Sequence, residues 1–232
     1  MHDTTLNRFK EVAETFNALE IDSRTMSHAL LQKDGNCDEP LQEYIRRYAK
    51  LAKFGTPTSA QAIEQAQRYA AIAFPAALAS FYQQVGAFIG NEHLCDLTIY
   101  RIDTVPERAR DEWPPYERFY SFGLLDTINL AWGNSRDEFK IGSDTAIVSQ
   151  QEYNILNQNY MVVGYWAHPP GADACTYIFY DKQGLFGTIY VDQDEFDIFH
   201  LLEKSTATQT WDEVMNYALD EVLKQRFAIP MI

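Results

Sequence analysis

The sequence predicts a mixed protein, helical toward both ends and strand-rich between, on three observations. Residues 160–191 hold three apolar, aromatic-rich runs, at 160–166, 174–180 and 185–191. Within the second run Thr176, Ile178 and Tyr180 fall on one face and Tyr177 and Phe179 on the other, the period of two of a pleated strand. Asp181-Lys-Gln-Gly184 separates the second run from the third, a short polar loop that reads as a hairpin with Gly184 at the positive-φ position. Apolar residues recur at spacings of three and four near both ends of the chain, the signature of amphipathic helices. Large side chains on both faces of the strands predict a sheet that is central or covered on both sides.

From the N-terminus, Leu6, Phe9, Val12, Ala13, Phe16 and Leu19 mark a helix over 4–19. Residues 20–37 read as mixed, with a short helical turn over Met26–Leu31 and a turn at Lys33-Asp-Gly-Asn36. A second helix is expected over 38–53, opened by Asp38-Glu39-Pro40, with the stripe Leu41, Tyr44, Ile45, Tyr48, Leu51 and Ala52, and ended by Gly55-Thr-Pro57. Residues 1–55 thus read as an α-helical extension of a domain over 56–232, and the width of its stripes predicts that it packs on that domain or on a second copy. Thr58-Ser-Ala-Gln61 has the spacing of a capping box and opens a third helix through Ile63, Ala66 and Ala70. Phe74-Pro75 breaks it. A fourth helix carries Leu78, Phe81, Tyr82 and Val85 and closes near Gly86. Leu97–Tyr100 reads as the first strand, 103–120 as a charged, proline-containing loop, and 121–148 gives no clear pattern. A short helix over Glu152–Leu156 precedes the strands. The last helix is opened by Thr210-Trp-Asp-Glu213 and continues through Val214, Met215, Ala218, Leu219, Val222 and Leu223.

Composition narrows the function classes. Of 232 residues 46% are hydrophobic, enough for a real core. No run approaches the roughly 18 apolar residues of a membrane span, and the N-terminus lacks a basic segment followed by an apolar one, so a cytoplasmic protein without membrane association is expected. Net charge is −14; residues 1–70 carry 9 Lys and Arg against 10 Asp and Glu, so almost all the excess acid lies in 71–232. That surface would repel phosphate backbones and attract a basic partner, so nucleic acid is not an expected ligand. Cys37, Cys95 and Cys175 are far apart and read as reduced thiols.

Phe74-Pro75-Ala-Ala-Leu78-Ala-Ser-Phe81, preceded by Ile63-Glu64-x-x-Gln67 and followed by Val85-Gly86, resembles the N-terminal signature of the SUKH superfamily, which comprises bacterial immunity proteins and fungal cell-wall regulators. Met161-Val-Val-Gly164, Tyr177-Ile-Phe-Tyr-Asp181 with the Gly184 turn, and the helix from Thr210 are similar to later parts of that pattern. Val85-Gly86-Ala87 departs from the family's Asn-Gly-like turn. The likeness spans residues 58–223. It implies an α+β domain, a mostly antiparallel curved sheet flanked by helices. It further implies a non-catalytic immunity protein that binds and neutralises a cognate polymorphic toxin, typically a nuclease or another enzyme acting inside the cell. A cytosolic regulatory or scaffold protein of the same fold is the alternative, with the extension as a docking or homodimerisation element.

No nucleophile elbow, Walker loop, dinucleotide fingerprint or His-Glu-x-x-His is present. His93 and Cys95 would share a strand face but lack a second pair of ligands, so no metal and no cofactor is expected. His168-Pro-Pro-Gly171 reads as a turn. Asp192, Asp194 and Glu195 could supply a hydrolytic carboxylate pair, yet acids this close on exposed chain more often form a solvated face. With Asp197 they are the first candidate surface for a basic toxin. The loop residues Glu107, Asp111, Glu112, Trp113 and Glu117 are the second.

Overall fold

Alternation of large apolar and aromatic side chains over 160–192 builds the centre of the molecule. The computed structural model describes residues 3–68, 70, 72–91, 95–102, 123–131, 149–168, 174–192 and 207–225. Among them are seven helices: α1 (Asp3–Lys33), α2 (Leu41–Tyr48), α3 (Ala60–Gln67), α4 (Ala76–Val85), α5 (Leu124–Ala131), α6 (Gln150–Asn159) and α7 (Trp211–Gln225). Six strands, β1 (Lys53–Phe54), β2 (Phe88–Asn91), β3 (Cys95–Ile99), β4 (Tyr160–Ala167), β5 (Ala174–Asp181) and β6 (Phe186–Asp192), form one open, curved antiparallel sheet in chain order. The fold is α+β, as expected.

The three central strands lie where the period of two places them. Tyr177 pairs with Tyr165 on one side and Ile189 on the other. Every residue of β5 is buried, so both faces are covered. At the hairpin Gly184 has φ +79°, and the Asp181 carboxylate accepts from the amides of Gln183 (2.9 Å) and Leu185 (3.0 Å). Glycine meets the backbone requirement and aspartate supplies the acceptor.

Register puts Phe88, Ile99, Gly164, Ile178 and Thr188 in one row across the sheet. Helices α1, α4 and α7 pack on that side. The Phe9 ring lies 5.1 Å from Phe88 and 5.7 Å from Phe81, and Trp211 lies 5.2 Å from both Phe81 and Phe186. The predicted stripes of α4 and α7 are buried, with Leu223 partly so. Helices α5 and α6 are tied to each other by the Asn157 amide oxygen, which accepts from the amides of Leu125 (2.9 Å) and Asp126 (3.0 Å), and by a hydrogen bond from Tyr153 to Asp126.

Several boundaries differ from the sequence reading. Helix α1 does not stop at residue 19 but continues unbroken to Lys33. Helix α2 ends at Tyr48, and Lys53–Phe54 leaves the helix pattern to become an edge strand on β2. Leu51 was expected in the buried stripe and is 41% exposed. The α3 cap is Ser59, whose hydroxyl accepts from the Ala62 amide at 3.2 Å, and not Thr58. Leu97 belongs to the third strand rather than the first. Helix α6 is longer than expected and opens on a full capping box between Ser149 and Glu152.

The N-terminal helix packs on the rest of the chain, as its apolar stripe predicts. Phe9, Val12, Ala13 and Phe16 belong to the same core cluster as the sheet. Polar contacts fix its direction: Thr5 donates to Asp212 (2.6 Å), and Arg8 bonds Asn216 (3.2 Å) and Asp220 on α7. Asn17 exchanges hydrogen bonds with the Ala52 backbone at 2.6 and 3.0 Å.

Glu20, only 3% exposed, explains why α1 runs on. Its carboxylate pairs with Arg24 at 2.8 Å and accepts from the Lys50 amide at 3.3 Å, joining α1 to the segment that leads into β1. Burial alone would raise the Glu20 carboxyl, but the hydrogen bonds and charge of Arg24, the Lys50 amide and the Asn91 side chain outweigh it and hold it below the ordinary carboxylate value. A carboxyl depressed in the folded state contributes stability above its unfolded pKa and loses it as pH falls through the folded value. Glu20→Gln is therefore expected to cost about 1–3 kcal/mol at pH 7, the worth of hydrogen bonds to a charged group. The gap from the parent protein should close as pH falls below about 4. Denaturant midpoints at pH 7 and pH 3 check this; a gap equal at both values would assign Glu20 no ionised role.

Candidate functional site

The carboxyl-terminal ends of β4 and β6 and the middle of α7 bring together a surface cluster of aromatic side chains. Trp166 pairs with Thr176 and Thr176 with Tyr190, so the three form one row across β4, β5 and β6. His168, just beyond β4, holds its amide against the Ala174 carbonyl (3.0 Å) and its Nε2 within 2.9 Å of the Thr176 hydroxyl. The imidazole packs edge-on against Tyr190, with ring centroids 5.0 Å apart. On the helix side, Tyr217 meets Trp166 edge-to-face at 5.9 Å, and Glu221 follows one turn later.

Depth separates these residues. Trp166 is fully buried, His168 is half-buried, and Tyr190 and Tyr217 are 49% and 46% exposed. Buried Trp166 supports one exposed ring, and His168, anchored to Thr176, supports the other. Burial lowers the His168 pKa, against the opposing pull of the Glu221 carboxylate. A neutral imidazole suits a packing role. Two rings with one face on the protein and one in water can bury apolar area in a complex at low entropic cost, since tyrosine has few rotatable bonds.

The residues singled out from sequence divide as follows. Asp192 ends β6, with its backbone paired to Ala174 next to this cluster. Asp194, Glu195 and Asp197 lie outside the described residues, as do Glu107, Asp111, Glu112, Trp113 and Glu117. His93 also lies outside them. The structure therefore does not bring the two acidic surfaces together or set them apart. Sequence reading passed over Tyr190 and Tyr217 and took His168 as part of a turn, whereas it packs on Tyr190 and its Nε2 lies 2.9 Å from the Thr176 hydroxyl. Tyr217 gave a signal: it sits off the apolar stripe of α7, where a polar residue is usual.

Other chemistry is sparse. Among the described residues no group of three or more His, Cys, Asp or Glu is placed to hold a metal ion. Cys175 is buried and Cys37 partly exposed, and neither is in a disulfide. Cys37 lines an open cleft with Asp38, Glu39, Tyr44 and Tyr48 between α1 and α2. Arg47 already occupies its rim, paired with Glu39 at 3.1 Å and lying over the Tyr48 ring. No described helix is long and apolar enough to cross a membrane. No protein-family model matches the chain, and no curated protein or solved structure matches it.

Proposed function

We propose that the chain is a non-catalytic immunity protein that binds and neutralises a cognate toxin, an enzyme acting inside the cell such as a nuclease. The observation that carries this reading is the supported, half-exposed pair Tyr190 and Tyr217 beside the start of the acidic run at Asp192. Rigid aromatic anchors with charge at the margin are what a protein-binding surface needs. The order of segments that resembles the SUKH superfamily, over a fold of the class that family implies, supports the same reading. So does the acid concentrated in residues 71–232, which would steer a basic toxin. The partner is a protein; neither nucleic acid nor membrane is proposed as a ligand, and the setting proposed is the cytoplasm.

Co-expression with the product of the gene immediately upstream tests the proposal. Restored growth and co-purification of the two chains are expected. Continued toxicity with no complex would remove the immunity reading. It would leave the second one, a regulatory or scaffold protein, which is favoured by the exposed apolar residues Met26 and Leu30 on α1 and has that helix as its docking or homodimerisation element.

A further inference from the structure

We infer that the exposed stretch of α1 around Met26 and Leu30 is a docking seam for a second copy of this chain, joined antiparallel about a two-fold axis. The inference goes beyond the immunity reading, does not depend on it, and gives these exposed residues one occupant.

One row of side chains runs along α1. Val12, Phe16, Leu19, Ser23, Met26 and Leu30 follow at alternating spacings of four and three, which keeps them on one line of a helix. The protein itself covers the first half of the row: Val12 and Phe16 are wholly buried, and Leu19 packs against the same core. The second half overhangs that core. Met26 and Leu30 are 56% and 62% exposed, and Ser23 is exposed with them. Helix α2 packs on a different face of α1. That contact runs through His28, whose Nε2 lies 2.7 Å from the Glu39 carbonyl oxygen and whose ring lies 5.1 Å from Tyr44. His28 stands two positions from Met26 and from Leu30, and residues two apart on a helix do not share a face. The overhang, residues 20–33, is roughly 21 Å long at the rise of an α-helix.

Charge selects the occupant. Within the overhang Glu20 is paired with Arg24, and Asp22 is balanced by Lys33, so residues 20–33 sum to zero on a chain of −14. A basic partner gains nothing from a neutral seam and is drawn to the acidic remainder. A second copy is repelled by that remainder and can come close only where the charge vanishes. The same charges favour an antiparallel pair. A two-fold axis across the overhang sets Leu30 of each copy near Leu19 of the other, and Met26 near Ser23. It also sends the two acidic bodies to opposite ends of the seam, whereas a parallel pair would hold them side by side. A seam this short buries less than a standard interface, so the dimer is weak and depends on concentration.

Sedimentation equilibrium of the full chain over a wide range of concentrations reads the association. The parent protein should pass from monomer to dimer as concentration rises and stop there, since a two-fold seam closes on itself. Met26→Lys with Leu30→Lys should weaken the dimer more than about 10-fold, because it sets like charges face to face. Ile21→Lys, at a position 36% exposed on the same helix but off the row, should leave it unchanged. Added salt should strengthen the dimer by screening the repulsion between the two bodies. Circular dichroism checks that the variants keep their helices, and Leu30→Lys alone carries the test if the double variant does not. A parent that stays monomeric at every concentration would overturn the seam. So would a dimer that the double variant keeps, or that Ile21→Lys removes equally. A dimer that weakens in salt would show oppositely charged surfaces in contact and would overturn it as well. The assay contains no toxin, so its failure leaves the immunity reading standing, and failure of the co-expression test leaves the seam.

Discussion

Trp211→Ala is expected to destabilise the protein by about 3–5 kcal/mol, the range for emptying a large aromatic site in a core. Trp211 is the first residue of α7, where the helix meets both α4 and the sheet. Its ring contacts Phe81 on one side and Phe186 on the other at 5.2 Å, and Phe81 continues the packing to Phe9 of α1. Two helices and the last hairpin therefore share one cavity if the ring is lost. For a chain of this size, that loss corresponds to a melting temperature lower by roughly 10 °C or more. The indole N–H meets no acceptor among the described residues. Trp211→Phe, which keeps a ring in the same place, should therefore cost markedly less than Trp211→Ala. Thermal or denaturant unfolding of the two variants checks this. Equal losses would mean that the polar edge of the indole, and not its packing, matters.

The second large effect is expected at Gly86. This glycine closes α4 at φ +72°, donating its amide to the Tyr82 carbonyl at 3.0 Å. A β-carbon there would lie 1.8 Å from the Thr56 carbonyl oxygen and 2.6 Å from its carbon. Thr56 cannot easily retreat. Its neighbour Gly55 donates to the Ala87 carbonyl at 2.9 Å, and Thr58 donates to that of Tyr82 at 2.8 Å. Gly86→Ala therefore combines an unfavourable backbone conformation with a backbone clash, and a cost of about 2–4 kcal/mol is expected. Gly184 is the internal control. It shares the positive φ, at +79°, but a β-carbon there meets nothing nearer than Pro75 at 3.6 Å. Gly184→Ala should cost only the conformational part, about 1–2 kcal/mol. A Gly86 variant no less stable than the Gly184 variant would show that the loop at Thr56 yields.

The sequence was most legible where side-chain period and a single breaker agreed. Within 160–192 three apolar, aromatic-rich runs are separated by polar or Pro/Gly-containing breaks, the second run has a period of two at 176–180, and Asp181 and Gly184 mark the turn, so three strands and their hairpin could be read. The stripe from Trp211 to Val222, with Thr210 and Glu213 at its head, was equally clear. Failures came where a local rule met a tertiary one. Helix α1 carries Glu20 and Arg24 where apolar periodicity stops, and a partly buried ion pair takes the place of the missing stripe. Strand β1 has two residues and β2 four, too few to show a period, and pairing rather than propensity makes them strands. The candidate site was legible only at its rim. A period of two says that Tyr190 lies on a strand face but not how deep, and His168 read as part of a turn because its contact to Thr176 is tertiary. Tyr217 stood off an otherwise regular stripe, and that departure is the signal to look for in similar helices.

We propose stoichiometric binding without catalysis, and a titration of the toxin separates the two. The toxin proposed to be the product of the gene immediately upstream is assayed against increasing amounts of this chain. Its activity is predicted to fall linearly and to vanish near one equivalent, with toxin and inhibitor recovered unmodified from the complex. Complete inactivation at a small fraction of an equivalent, with the toxin covalently changed, would contradict the account by making the chain an enzyme. Undiminished activity at many equivalents would contradict it by leaving no inhibitor.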